Sequence, residues 1–338
     1  MMRSWSRSRW GSILPITSWI VVLTLVSAVG VACQVPVFRY ALERWLCDRY
    51  EVWVVHDGTL DAQVSKEISN LREKLPNANC ILKPVSIQDH ADGSVHDVWK
   101  QRSQGTKTLA LWLYPQAARD VPSRLLMAEP WSTARIQSAL DSPVRQEIGK
   151  RLLDGQSAVW IFIAGGHANK DEAAFQRLRK QLEHCQGQLT LPTLEEMELD
   201  PAELERKKIH LRVEFSVITL KRDDASENAL IQMLLQSEDD LSDSQEPLAF
   251  PVFGRGRVLY ALQGEGIRQE QIDQACKFVI GPCSCQVKQQ NPGFDLLLNV
   301  DWEGNLGDAK ISDPLPEEGT GPRLIPIPSG KKKSSPAK

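Results

Sequence analysis

Two cysteines separated by one residue, Cys283 and Cys285 in the run Gly281-Pro282-Cys283-Ser284-Cys285, are the residues of this chain best equipped for chemistry. Such thiols can close a strained small-ring disulfide and exchange it, or present two sulfurs to a soft metal such as Cu(I). The competing reading is structural: each thiol forms a separate disulfide, or both pack reduced. A metal site needs further ligands. Cys276, about two helical turns upstream, and His184-Cys185 are available, but neither stands at a recognised ligand spacing.

The remaining polar clusters carry less. Gly165-Gly166-His167 reads as a tight strand-to-helix turn, because it lacks both the G-x-G-x-x-G pattern and the lysine and hydroxyl of a P-loop. Asp223-Asp224 and Glu238-Asp239-Asp240 lack the alternating oxygen ligands of a calcium loop and read as solvated caps. His56-Asp57 cannot form a dyad on a strand, where neighbours point to opposite faces. No G-x-S-x-G elbow is present. Arg255 and Arg257, flanking Gly256, are expected at the exposed tip of a hairpin, as partner contacts or as solvated turn residues.

The setting of the thiols is decided at the N-terminus. Residues 1–12 hold Arg3, Arg7 and Arg9 and no acid, and residues 13–32 are an apolar run long enough to cross a bilayer core. The arginines keep the leading end cytoplasmic and send the rest to the exported side. Gly30-Val31-Ala32-Cys33 leaves three readings open: an uncleaved anchor, a cleaved signal peptide, or a lipoprotein acylated on Cys33. Outside the cytoplasm disulfides are permitted, and seven cysteines, an odd number, leave at least one unpaired, lipidated or ligating. Cys47, Cys80 and Cys185 each fall at an element end, where packing or a bridge is the default.

The formal charge is −3, and it becomes −6 once the three arginines of the first 32 residues are set aside. No basic stripe stands out, which argues against nucleic acid as a partner. Nothing in the sequence identifies a small-molecule substrate.

The elements that must hold these residues follow from periodicity. Residues 33–47 contain a short amphipathic helix with Phe38, Ala41, Leu42 and Trp45 on one face. Strands are expected at 51–56, 81–87 and 108–114, with a short fourth at 136–140. Leu60, Val64, Ile68, Leu71 and Leu75 form one helical stripe, ended by Pro76. A helix follows Asp141-Ser142-Pro143. The pattern then restarts: a strand at 158–163, a helix at 171–185, a charged stretch at 195–208, and a long strand at 209–220. It continues with a helix at 228–236, a hairpin at 248–262 turning on Gly254-Arg255-Gly256-Arg257, and a helix at 267–280. Trp53, Trp112 and Trp160 lie within strands and are expected to fill core. From 313 to 338, Pro, Gly, Ser and Lys dominate and no structure is expected. Strands alternating with helices predict an α/β fold with parallel pairing.

Strand, helix, strand, helix, hairpin, helix is the order of the thioredoxin fold, and residues 247–280 resemble the back half of that family most clearly. Pro247 precedes the third strand, Gly254 and Gly256 make the hairpin, and Gly264 follows the fourth strand. The resemblance implies two tandem thioredoxin-like modules, residues 48–155 and 156–285, with residues 286–312 as an extension. Where that family carries C-x-x-C, at the turn after the first strand, this chain has His56-Asp57-Gly58 and Ala164-Gly165-Gly166-His167. Pro251 inside the third strand also departs from a regular ladder. The expectation is a membrane-tethered, extracytoplasmic thioredoxin-like protein without the usual dithiol. It would need no cofactor and would serve as a binding or scaffolding component of an envelope complex. The alternative is a thiol-disulfide oxidoreductase or copper carrier built on Cys283 and Cys285.

Overall fold

The computed structural model describes residues 34–89, 93–103, 105–119, 121–283 and 286–312. The run at 13–32, Cys33, Cys285 and the tail from 313 lie outside them. The fold is mixed α/β with two sheets.

The first sheet follows helix α1 (Val37–Arg44). It is built from β1 (Tyr50–His56), α2 (Ala62–Lys74), β2 (Cys80–Ser86), α3 (Gly93–Arg102), β3 (Thr108–Leu113), β4 (Leu125–Pro130) and α4 (Thr133–Leu140). Its strand order is β2-β1-β3-β4, with β1 parallel to β2 and the other pairs antiparallel. Helix α5 (Pro143–Leu153) then leads to β5 (Ala158–Ile163), α6 (Ala168–Gln188), α7 (Pro201–Arg206), β6 (Phe215–Leu220), α8 (Asn228–Leu235) and β7 (Leu248–Phe253). The two short strands β8 (Arg257–Val258) and β9 (Leu262–Gln263), α9 (Gln269–Ile280), β10 (Phe294–Asp295) and α10 (Trp302–Leu306) complete the described chain. In the second sheet β5 is parallel to β6 and antiparallel to β7, and β7 is antiparallel to β8 and β9.

Period-two alternation along the strands sorts side chains into layers. Val52, Val54, Ala110 and Trp112 of the first sheet and Val159, Ile161, Ile163 and Phe250 of the second share one core with α2, α4, α5 and α8. The opposite face of the first sheet packs Val55, Leu109 and Leu111 against Val95 of α3. The opposite face of the second packs Trp160 and Phe162 against α1, α6 and α9. One core is therefore shared by the inner faces of both sheets and helices of both halves.

Several expectations need correction. Parallel pairing holds only within each leading β-α-β unit, because the third strand of each half enters antiparallel. The fourth strand of the first half is 125–130, and 136–140 belongs to α4, which starts where the Ser132 hydroxyl accepts from the Arg135 amide. The strand expected over 209–220 begins only at Phe215, since its ladder partner begins at Ala158. Helix α3 was absent from the sequence expectation; its inward residues, Val95, Val98 and Trp99, form too short a stripe among polar neighbours. Residues 286–312 are more than an extension. β10 joins the second sheet, while the Asn79 side chain of the first half donates to Leu296 O and accepts from the Leu298 amide.

Pro251 is accommodated by a broken neighbour. Its carbonyl accepts from the Leu259 amide at 3.0 Å, so its nitrogen faces the same side, where the fourth strand is interrupted between β8 and β9.

Candidate functional site

The positions at which a thioredoxin-like dithiol is sought are the turns that lead from β1 to α2 and from β5 to α6. In the first, His56 Nδ1 lies 2.9 Å from Gly58 O, and Gln88 donates to the Asp57 carboxylate at 2.9 Å. The α2 N-terminus is closed by Asp61, whose carboxylate accepts from the Gln63 and Val64 amides.

The second turn is tighter. The Asp171 carboxylate accepts from the Gly165 amide at 2.7 Å and from the Gly166 amide at 3.0 Å. Gly165 also lies against the segment entering β7: a Cβ there would stand 2.3 Å from Gln245 O and 2.9 Å from Pro247 N. Only glycine permits that approach. Beside the turn a cleft of about 550 Å³ opens between α6 and this segment, with Lys170, Arg177, Glu246, Pro247 and Glu265 on its walls. Lys170 pairs with Glu246 at 2.5 Å across it. The amides at the start of α6 are the groups that would stabilise a thiolate or hold an anion. The Asp171 carboxylate holds the two amides of the turn just before the helix, and no cysteine stands in that turn.

Cys283 lies elsewhere. It is buried, 1% exposed, after the end of α9, in the apolar cluster that contains Cys185 and Cys276. Its amide donates to Val35 O at 2.9 Å, and Pro282 bridges to Pro36, so the segment is tied to the start of α1. The second half of the expected pair, Cys285, lies outside the described residues, as does Cys33. Among the described residues no group of three or more His, Cys, Asp or Glu side chains is arranged to hold a metal ion. His184 and Cys185 therefore do not join Cys276 in a ligand set.

Cys47 and Cys80 pack against the inner core, and burial pushes each thiol up to about 12. The neighbouring Asp295 carboxylate adds to the rise at Cys47. Neither is an activated nucleophile at neutral pH.

Arg255 and Arg257, expected at an exposed tip, are each only 5% exposed. Arg255 Nε donates to Leu42 O at 2.7 Å and Nη2 to Glu43 O at 3.0 Å, capping the last turn of α1, and it also pairs with Glu303. Arg257 pairs with Asp295 at 3.1 Å and donates to Pro292 O and Asn291 O. Both arginines are structural clamps. Sequence reasoning missed this because the segments that bury them are more than thirty residues away.

Among the described residues no helix is long and apolar enough to cross a membrane. Comparison of the chain with protein-family models and with curated proteins returns no match.

Proposed function

We propose that this chain is a membrane-tethered, extracytoplasmic protein of two thioredoxin-like modules, residues 48–155 and 156–285, that binds or scaffolds partners in an envelope complex. The membrane contact is the apolar run 13–32, with Cys33 as a lipidation site if that run is processed. What supports the modular reading is repetition. Strand, helix, strand, helix, strand, strand, helix recurs in both halves, with matching strand order and the third strand antiparallel in each.

The observation that carries the non-enzymatic reading is the pair of closed turns. Neither turn has a cysteine, and each is held by an aspartate of its own: Asp61 accepts from the first amides of α2, and Asp171 accepts from the two glycine amides that precede α6. Burial of Cys283 also weighs against the oxidoreductase alternative.

The test is a disulfide reductase and isomerase assay on the purified full chain, beside a titration of accessible thiols with and without Cu(I). Background rates and an unchanged titration are expected. A rate that disappears in Cys283→Ser or Cys285→Ser, or copper-protected thiols, would overturn the reading. For the compartment, a reporter fused after Lys338 should be active only on the exported side; activity confined to the cytoplasm would refute the placement.

A further inference from the structure

Helices α6 and α9 lie side by side on the outer face of the second sheet and present one inward stripe each. On α6 the buried residues are Ala174, Leu178, Leu182 and Cys185; on α9 they include Ile272, Ala275, Cys276 and Val279. Polar contacts run down the seam between them. Arg177 Nε donates to Ile267 O at 3.1 Å, Gln181 Nε2 to Asp273 Oδ1 at 2.5 Å, and Cys185 Sγ to the same Asp273 oxygen at 3.1 Å. The seam ends at Cys185 and Cys276, both free thiols in one buried cluster, with Asp273 one turn before Cys276 on α9. Both residues are almost fully enclosed, at 2% and 1% exposure.

We infer that Cys185 and Cys276 are a disulfide pair that staples α6 to α9. The two thiols share one buried cluster on adjacent helices, and Cys185 already reaches Asp273, one turn before Cys276, so their sulfurs can turn toward each other and close the ~2.05 Å S–S bond. The bond would join residues 91 positions apart, Cys185 and Cys276, and long loops are those whose closure most restricts the unfolded chain. The oxidant is a disulfide of the glutathione or oxidoreductase class. Two protein S–H bonds and its S–S bond break, one protein S–S bond forms, and the oxidant leaves as two thiols carrying both protons and both electrons.

The surroundings suit a structural bond rather than a reactive one. The neighbouring Cys185 thiol, and then burial, hold the Cys276 thiol well above the ordinary value. The thiolate that must attack is therefore scarce while the seam is closed, and exchange proceeds through opening of α9 or before the chain has folded. The pairing itself does not depend on the proposed compartment; its presence in cells does.

The full chain in detergent is equilibrated with reduced and oxidised glutathione in urea below the unfolding midpoint, then alkylated, digested without reduction and read by mass spectrometry. The expected product is a peptide pair joined through Cys185 and Cys276, lighter by two hydrogens than its reduced parts and separated by reductant. Alkylation of both residues, or linkage of either to Cys47, Cys80 or Cys283, overturns the inference. The same digest is run on protein taken from its cellular membrane fraction. A pair that links in glutathione but is found as thiols in cells upholds the pairing and counts against the exported location.

Discussion

The Asp171 carboxylate sits 2.7 Å from the Gly165 amide, closing the turn between β5 and α6 from within. Together with its bond to the Gly166 amide at 3.0 Å, this contact lets a carboxylate in the first turn of α6 fix the glycine turn that precedes the helix. Asp171→Ala should therefore cost about 0.5–1.5 kcal/mol, as loss of side-chain hydrogen bonds to a backbone turn does. Gly165→Ala should cost more, about 1–3 kcal/mol, because the new methyl meets the Gln245 carbonyl at 2.3 Å. Urea unfolding curves of the two variants check the order; an unchanged midpoint for Gly165→Ala would show that the segment before β7 is free to move away.

Arg255 should behave as a core residue despite its place in a glycine turn. Its three donations hold the last carbonyls of α1 and the Glu303 carboxylate. Arg255→Ala leaves those carbonyls unpartnered and should cost about 3 kcal/mol. Arg255→Lys should recover only part of that loss, because an ammonium cannot reproduce the planar fork. Chemical denaturation distinguishes this from a solvated arginine, whose removal would shift stability by no more than about 0.5 kcal/mol.

Arg145 on α5 and Glu227, just before α8, join the two halves within the shared core. Arg145 donates to Leu297 O at 2.8 Å and stands 4.0 Å from Glu227, which in turn accepts from the Ser142 hydroxyl and the Val144 amide at the start of α5. Burial brings the guanidinium down to about 10, with the Glu227 carboxylate opposing the fall. Arg145→Met alone should destabilise by about 3–5 kcal/mol, since it strands a buried carboxylate. The double variant with Glu227→Gln should be less damaging than the sum of the singles, with coupling of about 0.5–3 kcal/mol. Additive costs in the cycle would show that the two side chains act independently.

Stability should decline in alkali before it declines through general charge effects. The Cys47 and Cys80 thiols are raised to about 12 in the folded chain from an ordinary value of 9.0. Between those values the unfolded chain releases protons that the folded chain keeps, so the native state loses stability as pH rises. The contribution is intact below pH 9 and is lost progressively from about 9 to 12. The thermal midpoint should fall across that window, and Cys80→Val should flatten the fall. At pH 8 both partly buried thiols should react more slowly with an aromatic disulfide reagent in the folded chain than in urea; equal rates in the two conditions would contradict their raised values.

The five apolar residues from Leu60 to Leu75 state by their own spacing that a helix lies there, and the two runs of strand and helix follow from alternation in the same way. The apolar run at 13–32, and the lack of a cysteine in either turn, are likewise facts of the chain before it folds. Such features are legible because they depend on neighbours within about two helical turns. What tertiary structure decided is which distant segments meet. Gly254-Arg255-Gly256-Arg257 reads as solvent-facing until α1 and residues 291–295 close over it. Pro251 reads as a fault until the fourth strand breaks beside it. Cys185 and Cys276 are 91 positions apart and become partners only because α6 and α9 cover the same face of one sheet. Local periodicity sets the elements, whereas burial of polar groups and pairing of thiols depend on long-range closure, which no short window of sequence encodes.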